Sequence, residues 1–157
     1  MLIYCTACWQ ENPAESKKCL RCGATLETNN MSYIAKLIKA LSHPEPDIVQ
    51  RAAWILGELK VREAVEPLIS LLKKSTELGA LESAVEALGK IGDEKSTDIL
   101  SRLIISSYLP VRLKAVDALQ KIGSPNALNV LRMAINDRSS SVSKRARQAL
   151  KLLHQGL

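Results

Sequence analysis

Every cysteine in the chain lies in the stretch CTACWQENPAESKKCLRCG, from Cys5 to Gly23. The thiols fall as Cys5-x2-Cys8-x10-Cys19-x2-Cys22, and each C-x-x-C turn can bring two sulfurs to one ion. Two such turns close a tetrahedron with zinc–sulfur distances of about 2.3 Å. With all four positions taken by thiolates, no vertex is left for water or substrate, so the implied zinc is a single structural ion and not a catalytic one. A four-thiolate iron site is the alternative metal. Two disulfides would need an oxidising compartment, and a thioredoxin-type centre would need a strand-to-helix setting that CTACWQENPAE lacks. Lys17, Lys18 and Arg21 stand beside the ligands, where they offset the net negative charge of four thiolates around a dication.

The elements that must position these thiols are small. Leu2, Ile3, Tyr4, Trp9, Leu20 and Leu26 are the apolar residues available, too few to fold without the binding free energy of the metal. The polar run ETNNMS, Glu27 to Ser32, holds turn and N-cap residues and sets the boundary between a ribbon over 1–29 and a second domain over 30–157. The stretch CTACWQENPAESKKCLRCGATL resembles the zinc-ribbon modules found at the termini of many prokaryotic proteins, in its paired C-x-x-C, its ENP turn and its closing C-G-A-x-L. That resemblance implies a small β-rich zinc ribbon. Trp9 departs from it, standing where a small residue like Gly23 is usual, so its bulk must pack within the ribbon or dock on something else.

The remainder repeats itself. AAWILGEL, AVEALGKI, AVDALQKI and ARQALKLL begin at Ala52, Ala84, Ala115 and Ala146. In register, Leu56, Leu88, Leu119 and Leu150 align, as do Leu59, Ile91, Ile122 and Leu153, with Ile48, Ala80, Val111 and Val142 one turn earlier. These offsets draw one apolar stripe along a helix. A second stripe precedes each phrase: Leu37, Leu68, Leu100 and Leu131 align, and so do Leu41, Leu72, Ile104 and Ile135. Ile34, Val65 and Leu128 share a further column in which Thr97 is the exception. Asp93 and Ser124 suit N-caps, and Pro67 and Pro125 suit first helical turns. One helix pair cannot bury two stripes, but stacked pairs form a continuous core, so the pattern predicts an all-α solenoid of four helix pairs.

SAVEALGKIGDEKSTDIL and its relatives resemble HEAT repeats, above all the short HEAT-like variety shared with phycobilisome lyases. The resemblance implies the solenoid fold; for function it points to scaffolds, adaptors, DNA-binding enzymes and chromophore lyases alike. Ala53, Val85 and Val116 give way to Arg147 in the last repeat, and Ile38 and Ile69 to Ser101 and Arg132. These columns are expected to face the next repeat, with charge replacing them where none follows, so the array reads as complete. Gly57 and Gly89 share a column, which favours close helix packing.

Deviations from register point to function. Glu86, Asp117 and Gln148 stand two positions after the phrase alanine, about 200° round the helix from it, where the first repeat has Trp54. That column is expected on the concave surface lined by the second helices. Trp54 there covers the end of the first repeat or docks the ribbon, or else anchors a partner. Residues 1–30 carry three basic and three acidic groups, 31–93 eight and nine, and 94–157 eleven and four, so the net charge of +6 arises in the last two repeats. Arg112, Lys114, Lys121, Arg138, Lys144, Arg145, Arg147 and Lys151 are candidates for a basic field. The candidate partner surface therefore comprises Trp54, Glu86, Asp117, Lys114, Lys121, Lys144 and Arg145.

Several classes are disfavoured. The start MLIYCTACW has no leader-like pattern and no run of 18 apolar residues occurs, so a cytoplasmic protein without membrane association is expected. His43 and His154 are far apart, the former a turn residue and the latter a surface one, and neither begins a His-Glu pair; no phosphate loop or nucleophile elbow occurs. No small-molecule substrate is evident, and an enzyme is not expected. The leading expectation is a non-catalytic scaffold or adaptor for a protein partner. The alternatives are a nucleic-acid binder using the basic C-terminal repeats, short of stacking aromatics because Phe is absent and Tyr108 is the only aromatic in that half, or a lyase-like or chaperone-like component acting on a chromophore protein.

Overall fold

Four sequence phrases with paired apolar stripes give eight α-helices in the computed structural model, which describes residues 2–5, 7–8, 10–26, 30–106 and 108–155. The pairs are α1 (Asn30–Ala40) with α2 (Pro46–Glu58), α3 (Val65–Lys74) with α4 (Leu78–Ile91), α5 (Thr97–Leu103) with α6 (Leu109–Ile122), and α7 (Pro125–Ala134) with α8 (Ser140–Gln155). Short 3-10 turns at Arg62–Ala64 and Glu94–Ser96 lead into α3 and α5. Second helices stack on second helices, and each also packs on its own first helix, as a solenoid requires. None of the described helices is long and apolar enough to cross a membrane.

Local signals lie where the sequence placed them. Ser124 caps α7 by accepting from the Ala127 N–H at 3.2 Å, and Pro125 follows at the first helical position. Asp93 accepts from the Lys95 N–H and so caps the 3-10 turn ahead of α5. The chain leaves α4 and α6 through a left-handed glycine, Gly92 and Gly123 with φ of 73° and 62°, while after α2 the equivalent position in register is Lys60 at 50°, one residue beyond the right-handed Leu59.

The predicted stripes form one core. Leu37, Leu68, Leu100 and Leu131 from the first helices and Leu56, Leu88, Leu119 and Leu150 from the second are all buried. The burial of the column after the phrase alanine follows the expected pattern: Ala53, Val85 and Val116 are buried and Arg147 is exposed. Thr97, the exception in its column, is also buried, and its hydroxyl and that of Ser96 have no hydrogen-bond partner among the described residues.

Gly57 and Gly89 sit where neighbouring second helices approach most closely. A Cβ on Gly57 would lie 2.7 Å from the Ala87 Cα, and one on Gly89 2.7 Å from the Ala118 Cα. Both obstacles are backbone, so the helices themselves would have to part. Gly79, in contrast, faces only the flexible end of Gln50. Gly89→Ala is therefore expected to destabilise the fold by about 1–3 kcal/mol through overpacking. Gly79→Ala should be neutral or stabilising by up to about 1 kcal/mol, because alanine is the better helix former. Thermal or urea denaturation of the two variants checks the contrast, and equal effects would mean that helix propensity, not close approach, governs both sites.

Candidate metal centre and interaction face

Two turns build the cysteine site. Strand β1 (Leu2–Tyr4) pairs antiparallel with β2 (Glu11–Pro13), Ile3 opposite Asn12, and the first C-x-x-C fills the turn between them, closed by the Cys5 N–H donating to the Gln10 carbonyl at 2.9 Å. The second C-x-x-C fills a similar turn between Lys18 and Thr25, which pair as an isolated bridge. There the Cys19 N–H donates to the Ala24 carbonyl, and Gly23 takes φ of 71° to bring the chain back. Trp9 and the ribbon boundary at Glu27–Asn29 lie outside the described residues.

The four Sγ atoms lie within 4.8 Å of one another, with Cys5–Cys22 at 3.6 Å and Cys8–Cys19 at 3.5 Å. A tetrahedron with metal–sulfur bonds of about 2.3 Å has edges of about 3.8 Å. The described geometry is close to that cage, and all four cysteines are free rather than bridged as disulfides. Four soft donors converging on one point can hold one metal ion. Burial works to raise the Cys19 thiol, but the backbone N–H groups of Cys22 and Arg21 outweigh it and hold it below the usual thiol range.

Asn12 joins the two turns; the sequence placed it only within ENP, read there as a turn, whereas Glu11–Pro13 is extended as β2 and pairs with β1. Asn12 is buried; its Oδ1 accepts from the Leu20 N–H at 2.8 Å, while its Nδ2 donates to the Gln10 carbonyl at 2.7 Å and to Cys19 Sγ at 3.8 Å.

The ribbon and the first repeat meet through Tyr4. Strand alternation turns Ile3 and Cys5 into a small cluster with Cys19 and Leu26, and turns Tyr4 into the solenoid core. The Tyr4 ring meets Trp54 edge-on, centroids 5.3 Å apart and planes at 76°. Its backbone N–H donates to Tyr33 Oη at 2.9 Å and its own hydroxyl donates to Glu11 Oε1 at 2.7 Å. Burial, with the Glu11 carboxylate behind it, pushes the Tyr4 phenol well above its usual range, and burial pushes Tyr33 up to about 12, so both remain protonated. Tyr33 stands in a column otherwise filled by Ala64, Ser96 and Ala127, a deviation that the register displays and that marks the docking site as clearly as Trp54 does.

The polar column of the second helices forms an inter-repeat ladder. Lys90 Nζ lies 2.6 Å from Glu58 Oε1 and 2.8 Å from Glu86 Oε1, and Glu86 also takes Lys114. One repeat on, Arg145 Nη1 lies 2.9 Å from both carboxylate oxygens of Asp117. Lys114 foremost, then Lys90, hold the Glu86 carboxyl down to about 2; burial works against the Lys90 charge, yet Glu58 and Glu86 keep Lys90 above the usual lysine range.

Comparison with known proteins agrees with this architecture. A profile of HEAT repeats matches residues 34–110, and one of PBS lyase HEAT-like repeats matches residues 111–137. The chain is a HEAT-repeat protein. No curated protein sequence matches it significantly. Among solved structures, an engineered protein superposes with a TM-score of 0.63 at 24% identity, covering 80% of this chain and 64% of its own. A designed armadillo repeat protein in complex with the peptide (KR)4 gives 0.63 at 19% identity, covering 78% and 64%. A further engineered protein gives 0.58 at 22% identity, covering 77% and 37%. This HEAT-repeat protein thus spans less than two thirds of the length of the structures it resembles, and at these identities the likeness speaks for the fold.

Within the HEAT array, the structure places the residues expected at a partner surface in different states. Trp54 remains 40% exposed beside Tyr4, at one end of the ladder. Glu86, Asp117, Lys114 and Arg145 are engaged with one another across repeats, whereas Lys121 and Lys144 make no ion pair among the described residues. Arg112, expected in the basic field, is instead buried: its guanidinium pairs with Asp137 at 3.1 Å and donates to the Ser106 carbonyl at 2.8 Å. The formal charge thus overstates the cationic field of the last repeats. Because Glu86 titrates well below an unfolded carboxylate, the ladder contributes stability above about pH 4.5 that is lost as pH falls towards about 2. Glu86→Gln should flatten the stability–pH curve across that window and leave its shape above pH 5 or so unchanged; matching acid limbs in the two proteins would show that the ladder is not coupled to folding.

Proposed function

We propose that the protein is a non-catalytic HEAT-repeat scaffold that binds a protein partner along the exposed side of its second helices, with a structural zinc ribbon over 1–29 fixed to the first repeat of the 30–157 array. The observation that carries this reading is the second-helix column itself. It is braced from repeat to repeat by ion pairs and ends in an aromatic residue that its neighbour leaves two-fifths uncovered. A solenoid offers such an extended surface in a fixed geometry, so little ordering entropy opposes binding. That a designed armadillo relative of the same fold takes a (KR)4 peptide supports peptide or protein recognition here. Trp54 supplies the apolar anchor, Lys121 and Lys144 cations without an ion pair among the described residues, and the paired Glu86, Lys114, Asp117 and Arg145 a polar rim whose charges can exchange partners.

A closed tetrahedron of four thiolates suits zinc and iron alike, and the resemblance of Cys5 to Leu26 to zinc ribbons is what favours zinc here. When bound, the ion would supply folding free energy to the ribbon, and Cys5, Cys8, Cys19 and Cys22 would hold it. The purified protein should carry about one equivalent of zinc by elemental analysis. Cys19→Ser should release it and loosen the ribbon while far-UV circular dichroism keeps the helical signal, because the array draws its stability from its own stacking. A global loss of helix would show that the ribbon is integral to the array.

The second reading, nucleic-acid binding, draws on the excess of basic residues in 94–157. Affinity chromatography from the native host followed by calorimetry on the purified partner, beside a salt titration of duplex and single-stranded DNA binding, separates the two. A protein partner whose affinity falls by about 2 kcal/mol or more in Trp54→Ala supports the scaffold. DNA binding that steepens by about one unit of log–log salt slope per phosphate contact, and flattens when Lys144, Arg145, Arg147 and Lys151 are reversed, supports the alternative and rejects the first.

A further inference from the structure

A second apolar surface lies away from both the ribbon and the second-helix ladder. Where α5 ends and α7 packs beside it, a groove of about 700 Å³ opens towards solvent. Its floor is Ile104 and Ala134, and its walls are Val130, Ile105 and Met133. Ile105 and Met133 are among the most solvent-exposed apolar side chains of the molecule, at 84% and 74%.

Neither has a packing reason to be apolar. The residues equivalent to Ile105 in the other repeats are Ser42, Lys73 and Asn136; those equivalent to Met133 are Lys39, Ser70 and Arg102. Two otherwise polar columns therefore break, in different repeats, at positions that the fold brings to one groove. An exposed apolar pair of this kind marks an interaction site rather than a core.

Charge decides what the groove takes. The one acid lining it, Asp137, is spent on the buried Arg112. Arg102 and Arg138 stand exposed on the rim and have no acidic partner among the described residues. We infer that this groove binds a linear peptide segment of a partner protein in which an aliphatic or aromatic side chain, inserted between Ile105 and Met133, is flanked by carboxylates that pair with Arg102 and Arg138. The inference rests on the protein-binding reading above, but on a different face from Trp54, so each can fail without the other. A flexible methionine beside an aliphatic residue accommodates side chains of varied shape, and guanidinium groups take carboxylates in bidentate fashion, so the motif recognised is one of chemistry and spacing.

The test pans a displayed library of random peptides of about a dozen residues on the full zinc-loaded chain, with counter-selection on the double variant Ile105→Glu/Met133→Glu. Both substituted side chains are exposed, and circular dichroism checks that the variant folds. Enriched peptides should carry an apolar residue flanked by Asp or Glu, and should shift the Met133 methyl resonance, which is readily assigned among three methionines. Their affinity should fall at least about tenfold in the double variant and several-fold in Arg138→Glu, and should survive Trp54→Ala. The proposal is overturned if nothing is enriched over the double variant, if the enriched peptides lack acidic residues, or if the Met133 methyl does not move. Loss of binding in Trp54→Ala alone would assign the peptides to the second-helix face and overturn it too. A Met133 shift that depends on protein concentration without peptide would show that a second copy covers the groove, and would likewise overturn the proposal.

Discussion

The close approach of consecutive second helices is the constraint on which the rest of the structure depends. At Gly57 against Ala87 and Gly89 against Ala118 there is no room for a side chain, so α2, α4 and α6 run nearly backbone to backbone. That proximity brings charged side chains on adjacent repeats within reach of one another. Glu86 reaches Lys114, and Asp117 reaches Arg145, each pair 28 residues apart in sequence. The ladder is thus a consequence of stacking and not its cause. Exposed ion pairs contribute little stability by themselves, and here they mainly fix the order of charges along one face.

The ribbon is tied into this array by the pleat of a three-residue strand. Ile3 and Tyr4 must point to opposite sides, so one strand serves two cores: Ile3 closes over the cysteines while Tyr4 enters the solenoid. Burying two phenols is costly unless their polar atoms are satisfied. Glu11 on the partner strand takes the Tyr4 hydroxyl, and the Tyr4 N–H finds Tyr33. The same strand pairing that shapes the first cysteine turn therefore also presents the docking residue, which couples the metal site geometrically to the first repeat.

Much of this was legible in the sequence because repeats provide their own comparison. Columns of Leu56, Leu88, Leu119 and Leu150, or of Ala53, Val85 and Val116, read directly as core and inter-repeat contacts, and the spacing of four cysteines read as one cage. The role of Asn12 was not legible, since a buried amide bridging two turns depends on tertiary placement that spacing does not encode. Tyr4 was not legible either: a lone aromatic in a short strand has no repeat to be compared with. Arg112 was misread as surface charge because a cation in a half-exposed helical turn looks the same in sequence whether or not an Asp137 waits for it from the next repeat.

Charge and apolarity thus differ in how far sequence can carry them to function. A charge on a repeat protein can be neutralised by a neighbour one repeat away, so a formal excess of lysine and arginine bounds a field without locating it; Arg112, Lys114 and Arg145 are all committed within the fold. An apolar residue in a polar column has only two outlets, another part of the chain or another molecule. Trp54 finds the first in Tyr4, and only in part. Ile105 and Met133 find neither within the described residues. Because the fold brings them from separate repeats to one groove beside two guanidiniums without an acidic partner among the described residues, their exposure has no counterpart in the packing of the array, and its cause lies in what the array binds.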